Sequence, residues 1–215
     1  GQDSILIGNS VFASTLSGGA DADLVSVAGD VSAGQLFGGS AADTMIITGS
    51  LAGGATVRLD TAGSNEETAD SITVGSISSA VIYGEAGSDT FNISGAANKA
   101  SIYGGDQGDL VTVGGTYTAG LIEGEGGKDT INLAALFKSS VKGGAGEDMF
   151  SATGAISESF IYGNSANDSF VIGGSVQKAT ILGGSNDDSV TIGGAATSFS
   201  VAGGTGADSI NIGGA

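Results

Sequence analysis

Residues 183–194 read GGSNDDSVTIGG, running from Gly183 through Asp188 to Gly194. Val190 and Ile192 alternate with Ser189 and Thr191. A two-residue period of β-branched apolar side chains marks a strand with one face buried. Glycines bracket the strand on both sides, where a tight turn needs positive φ. The same pattern, an aspartate followed by x-apolar-x-apolar, starts at Asp3, Asp23, Asp43, Asp70, Asp89, Asp109, Asp129, Asp148, Asp168, Asp188 and Asp208. The steps between them are 20, 20, 27, 19, 20, 20, 19, 20, 20 and 20. A fixed period along the whole of residues 1–215 is one repeat array rather than two domains.

Counting the aspartate as position 1, apolar residues occupy positions 3 and 5, as in Ile5/Ile7, Phe91/Ile93 and Phe170/Ile172. A further apolar residue falls near position 9 (Val11, Val31, Ile156, Val176) and another at position 14 (Leu16, Leu36, Ile102, Ile122, Ile161, Ile181, Val201). Two inward-facing segments and two turns in roughly 20 residues make one coil of an all-β, right-handed parallel β-solenoid, a β-roll. About ten coils at ~4.8 Å predict a rod on the order of 50 Å long, with narrow ladders of Ile, Val, Leu and Phe inside. Between Asp43 and Asp70 the unit is seven residues longer, and the extra length falls at about 60–69, Asp60-Thr-Ala-Gly-Ser-Asn65-Glu66-Glu67-Thr-Ala69. Insertions in solenoids map to exposed loops, so Asp60, Glu66 and Glu67 are candidates for an extra cation or a basic partner, and an exposed, tolerated insertion is the simpler expectation.

Composition narrows the chemistry. The chain has 41 Gly among 215 residues and no Pro, Cys, His or Trp, yet 40% of it is apolar, which is enough to build a core. Without Cys and His, thiolate and imidazole chemistry are absent, and what remains for metal binding is oxygen, which suits hard cations such as calcium. Six Lys plus Arg against 23 Asp plus Glu give a net charge of -17, which repels a phosphate backbone, so no nucleic acid is expected as a partner. No apolar run approaches the ~18 residues that would span a bilayer, and no membrane insertion is expected.

The six residues closing on each aspartate are GGADAD (18–23), GGSAAD (38–43), GEAGSD (84–89), GGDQGD (104–109), GEGGKD (124–129), GGAGED (143–148), GNSAND (163–168), GGSNDD (183–188) and GGTGAD (203–208). Glycines let a loop turn its carbonyls inward, and in a solenoid the loops lie above one another, so that calcium can take its six to eight oxygens from two successive coils. These loops resemble the glycine-aspartate repeats of the RTX (repeats-in-toxin) family, whose pattern is GGxGxD followed by x-apolar-x, and the resemblance runs along essentially the whole chain. It implies several Ca2+ ions along the solenoid, with Asp23, Asp43, Asp89, Asp109, Asp129, Asp148, Asp168, Asp188 and Asp208 as side-chain ligands. The usual family unit is a nonapeptide with ion-bearing turns on both edges. Here the loop comes once per 20 residues, so one edge should carry ions, as in the long-repeat variant of bacterial surface adhesins and surface-layer proteins.

Two departures temper that picture. The fourth loop position, usually Gly, is Asp21, Ala41, Gln107, Ala166 and Asn186 in five loops, and Ala adopts left-handed φ less readily than Asn or Asp. Weaker occupancy is therefore expected in the loops ending at Asp43 and Asp168. The insertion should interrupt or alter the ion column, and Asp70 is left out of the ligand set. Metal-free aspartates that only cap their own strands are the competing expectation.

No catalytic centre is expected. Paired acids occur at Glu66/Glu67, Glu147/Asp148 and Asp187/Asp188, but sequence neighbours on turns do not face each other across a cleft as glycoside cleavage requires. Tyr83, Tyr103 and Tyr162 share one place in the repeat and are expected to stack. Long-repeat relatives can bind ice through Thr-x-Asn rows in these loops, and this chain has no such row. The function expected is a calcium-dependent structural segment of a secreted bacterial cell-surface protein, a spacer, surface-layer element or filament building block folding on Ca2+. The alternatives are an adhesin module for carbohydrate, ice or a surface, and a noncatalytic calcium-binding module of a secreted enzyme. The chain starts Gly-Gln-Asp and stops mid-coil, so self-association or a longer parent chain is expected.

Overall fold

The computed structural model describes residues 1–60 and 67–214. Those residues form an all-β parallel solenoid of about ten turns, with no helix. Each coil contributes to two long sheets whose strand pairings are all parallel. The first sheet is built on the segments that follow the aspartates, such as Leu24–Val27, Thr90–Ile93 and Ser189–Thr197, and also takes in short strands such as Val31–Ser32 and Ile156–Ser157. The second sheet is built on the segments that run into the glycine loops, from Thr15–Gly19 through Thr56–Asp60 and Ser101–Asp106 to Ser200–Thr205.

The alternation seen in sequence is the alternation of burial. In Thr44-Met45-Ile46-Ile47 the second and fourth residues are fully buried and the first and third face out. Because a pairing slip of one residue would expose the whole apolar set, register is held at every step. Val25 pairs with Met45, Met45 with Ile72, Ile72 with Phe91, and Phe91 with Val111, a continuous internal column. On the second sheet Leu36, Val57, Ile82, Ile102 and Ile122 form another. The 27-residue unit keeps both ladders paired: its pairing with the coil before runs at an offset of 20 at Ala52 and 21 at Thr56, so one extra residue is taken up at the Gly53–Gly54 turn and the rest between Asp60 and Asp70.

The expected tyrosine row is only partly present. Tyr83 and Tyr103 stack at 5.0 Å between ring centroids, with Arg58 lying over Tyr83 at 4.2 Å. Tyr162 is separated from them by Glu123 and Lys142, which pair with each other, and it stacks instead on Phe160. Tyr117 is the tyrosine inside the core. Its hydroxyl lies 2.8 Å from the carbonyl oxygen of Ala100 and 2.7 Å from that of Leu121. Gly120 makes room for it, since a methyl group there would stand 2.7 Å from the ring.

Candidate metal centre

Parallel stacking places the closing aspartates in a file at the start of the first-sheet strands. Asp23, Asp43, Asp70, Asp89, Asp109, Asp129, Asp148, Asp168 and Asp188 are all buried, none more than 6% exposed. The Oδ1 of each accepts the backbone N–H of the aspartate one coil earlier. Asp23 N donates to Asp43 Oδ1 at 2.7 Å, Asp89 N to Asp109 Oδ1 at 2.7 Å, and Asp168 N to Asp188 Oδ1 at 2.8 Å. Half of each carboxylate is thus committed to tying adjacent coils together. The capping role weighed against metal binding is present, but between coils rather than within one.

The other half has no partner. In all nine of these residues Oδ2 is buried and accepts no hydrogen bond. An unsatisfied buried acceptor costs about 1–3 kcal/mol, and more when charged. Native proteins keep only a few such groups per hundred residues. Nine equivalent ones in register are a feature of the repeat, and a cation is one partner that would satisfy them.

The first glycine of each loop shows where those oxygens point. A Cβ added to Gly18 would stand 2.7 Å from Asp23 Oδ2 and 2.5 Å from the carbonyl oxygen of Gly38 in the next coil. The same two overlaps, with the carboxylate of its own loop and the glycine carbonyl of the following one, recur at Gly84, Gly104, Gly124, Gly143, Gly163 and Gly183. Each loop thus forms a cradle in which oxygen from two successive coils packs against a glycine, where any side chain would collide. Among the described residues, no three carboxylates gather into one metal-sized group. A cation held here would take one carboxylate per coil and complete its shell with backbone carbonyls, a donor set that fits calcium.

Burial has a measurable consequence for these acids. It pushes the carboxyls of Asp43 and Asp148 up to about 6, those of Asp70, Asp89, Asp129 and Asp168 to about 7, and that of Asp109 to about 8. The N–H bond to Oδ1 opposes the shift in each case without cancelling it. Asp188 moves in the same direction for the same reason. Near neutral pH the ladder holds its full negative charge only if positive charge is supplied.

Loop geometry departs from the sequence expectation. Ala41 and Ala166 take φ of 70° and 81°, as do Asp21, Gln107 and Asn186 at 71°, 71° and 80°, the same left-handed region that Gly87, Gly127, Gly146 and Gly206 enter in the other loops. Neighbouring coils impose the turn, so the Ala loops carry strain rather than a different shape. Asp208 differs from the rest of the ligand set. It lies in the last coil, half-buried, and accepts the Asp188 N–H at 2.9 Å.

The long unit brings two surprises. Asp70, set aside in sequence, belongs to the ladder. Its Oδ1 accepts Asp43 N at 2.6 Å, and its own N–H goes to Asp89 Oδ1 at 2.8 Å. The signal was its Asp-Ser-Ile-Thr-Val segment, which matches every other unit. Asp60 is not part of an exposed insertion: it ends the strand Thr56–Asp60, is fully buried, and pairs in register with Gly39. Leu59, also fully buried, therefore stands where other coils have the first glycine. Asp60 adds its negative charge to the causes raising Asp70 and Asp89. Glu66 lies outside the described residues, and Glu67 is exposed. In the remaining acid pairs, Asp148 and Asp188 point inward while Glu147 and Asp187 are exposed, Glu147 meeting Lys128 at 3.3 Å.

No protein-family model matches the chain, and no curated protein does either. Among solved structures it is similar to a hyperactive, Ca2+-dependent, β-helical antifreeze protein from an Antarctic bacterium, with a TM-score of 0.84 and 25% sequence identity. The match covers 97% of this chain and 64% of the other, so the chain spans somewhat less than two thirds of that structure.

Proposed function

We propose that this chain is a noncatalytic, calcium-stapled rod, a structural segment of a bacterial extracellular surface protein that folds and stiffens on binding Ca2+. The observation that carries this is the file of nine buried, unpartnered Oδ2 atoms, most of them facing a glycine carbonyl of the next coil. Bound calcium supplies charge neutralisation and a bridge between coils. Asp23, Asp43, Asp89, Asp109, Asp129, Asp148, Asp168, Asp188 and Asp208 are the side chains assigned to it, and Asp70 joins them as a member of the same ladder. Seven to nine ions bring about +14 to +18 against a formal charge of -17, so the filled rod is nearly neutral. The calcium dependence of the similar antifreeze protein supports the same reading. Extracellular fluids, where calcium is plentiful, are where such a rod folds. Metal counting on the chelator-treated and calcium-restored chain, followed in parallel by far-UV circular dichroism, tests it. Seven to nine ions and a calcium-dependent β signal are expected, whereas a fully folded chain without bound metal sinks the proposal.

The antifreeze activity of the similar protein favours ice binding as a second reading. The loops offer no regular Thr/Asn row, their third positions being Ala20, Ser40, Ala86, Asp106, Gly126, Ala145, Ser165, Ser185 and Thr205. Thermal hysteresis and partition into growing ice, measured with calcium present, decide between a plain rod and an ice binder.

A further inference from the structure

The outer surface of the first sheet is unlike every other surface of the molecule. Its outward positions, two per strand over the eleven strands that follow the aspartates, carry not one of the six basic or 23 acidic residues of the chain. Sixteen of the 22 are Ser, Thr or Asn, and six are Leu, Ile, Met or Val. Exposed apolar side chains stand out from it at Leu6, Leu110, Met149 and Val171, the last 47% exposed. The charge lies elsewhere: Arg58, Glu123 and Lys142 are on the second sheet, and Asp21, Glu125 and Glu147 are in the glycine loops.

We infer that this face is the contact between two copies of the chain, packed sheet on sheet about a two-fold axis. The inference goes beyond the calcium reading and stands on sheet geometry and charge alone. In a chain of net charge -17, it is, among the described residues, the one sheet surface across which two copies can meet without opposing carboxylates. Eleven strands at about 4.8 Å and a four-residue width at about 3.3 Å per residue give a face of roughly 650–700 Å². That approaches the ~800 Å² per partner of a standard interface. Two such faces pack about 10 Å apart, as in a β-sandwich, with Leu110, Met149 and Val171 set among the small Ser and Thr side chains of the opposing copy. The face has no aromatic ring to stack on a sugar, and its apolar side chains break the hydroxyl rows that an ice lattice would need.

Sedimentation velocity of the calcium-loaded chain tests the contact, with a dimer expected to form at concentrations on the order of micromolar. Thr112→Glu with Thr130→Glu places like charges at the middle of the face and should weaken the dimer about a hundredfold or more. Ser101→Glu with Thr180→Glu, on the second sheet, should leave it intact. Because the chain lacks cysteine, an Asn132→Cys thiol gives a second readout that needs no disruptive variant. Its alkylation should slow as protein concentration crosses the dimer range, while that of Ser101→Cys should not. A folded, calcium-loaded chain that stays monomeric at a hundred times that concentration overturns the inference, as does equal weakening by both charged pairs or a monomer that adsorbs to ice or polysaccharide. Circular dichroism and metal counting on the same samples keep this result separate from the fate of the calcium proposal.

Discussion

Replacing Asp109 by Asn separates the two roles of the aspartate ladder. The amide keeps an Oδ1 that can still accept the Asp89 N–H, now 2.7 Å away, and changes only the oxygen that has no partner. In chelator at pH 5.5 the wild-type carboxyl, pushed to about 8, is protonated, and Asn is a close replica of it. The variant should then unfold within about 0.5 kcal/mol of the wild type. With 10 mM calcium at pH 7.5 the lost carboxylate removes a ligand. Extracellular calcium modules have Kd of about 0.1–1 mM, so each ion contributes RT ln(1 + [Ca]/Kd), about 1.4–2.7 kcal/mol. A carboxylate shared between coils supports one or two ions, so the calcium arm should show a loss of about 1.5–5 kcal/mol. Urea unfolding followed by far-UV circular dichroism in the two buffers gives both numbers. If Asp109→Asn shifts the midpoint equally in chelator and in calcium, the ladder is a set of strand caps and the cation argument fails.

Three further outcomes follow from the same geometry. Gly124→Ala adds a methyl that overlaps Asp129 Oδ2 and the Gly143 carbonyl oxygen at a residue whose φ is ordinary, so the cost of about 1–3 kcal/mol comes from the filled cradle rather than from backbone strain, and the metal count should fall by one. Leu59→Gly opens the place that other coils keep clear. It should destabilise the chain by about 2–5 kcal/mol through lost core volume yet raise the number of bound ions by one, and an unchanged count refutes the idea that Leu59 interrupts the column. The third concerns pH. Asp43, Asp70, Asp89, Asp109, Asp129, Asp148 and Asp168 have folded values of about 6 to 8 against an ordinary 3.8, so the folded chain binds protons more tightly than the unfolded one. Their contribution without metal is fully present below about pH 4 and is lost as pH rises through 6 to 8. Melting temperatures in chelator should fall over that window and flatten when calcium replaces the proton. A chelated chain that is more stable at pH 8 than at pH 5 contradicts the buried ladder.

The sequence by itself determined the coil. Apolar residues at positions 3 and 5 of every unit and at position 14 of most, with glycines between, point to one periodic solution, and Val190/Ile192 or Phe91/Ile93 are legible as strand interiors because period-two alternation is a local property. The recurrence of the glycine-aspartate loops was legible for the same reason. Tertiary structure decided what each aspartate does, because its partners come from other coils. That Oδ1 of Asp109 caps the N–H of Asp89, 20 residues away, while Oδ2 lies beside the Gly124 carbonyl oxygen, depends on the stacking distance and not on any local pattern. Stacking also brought Asp70 into the ladder, buried Asp60, seated Leu59 in a glycine's place and held Ala41 and Ala166 at positive φ, since a parallel register imposes the neighbour's backbone on a loop whose own residues would not choose it.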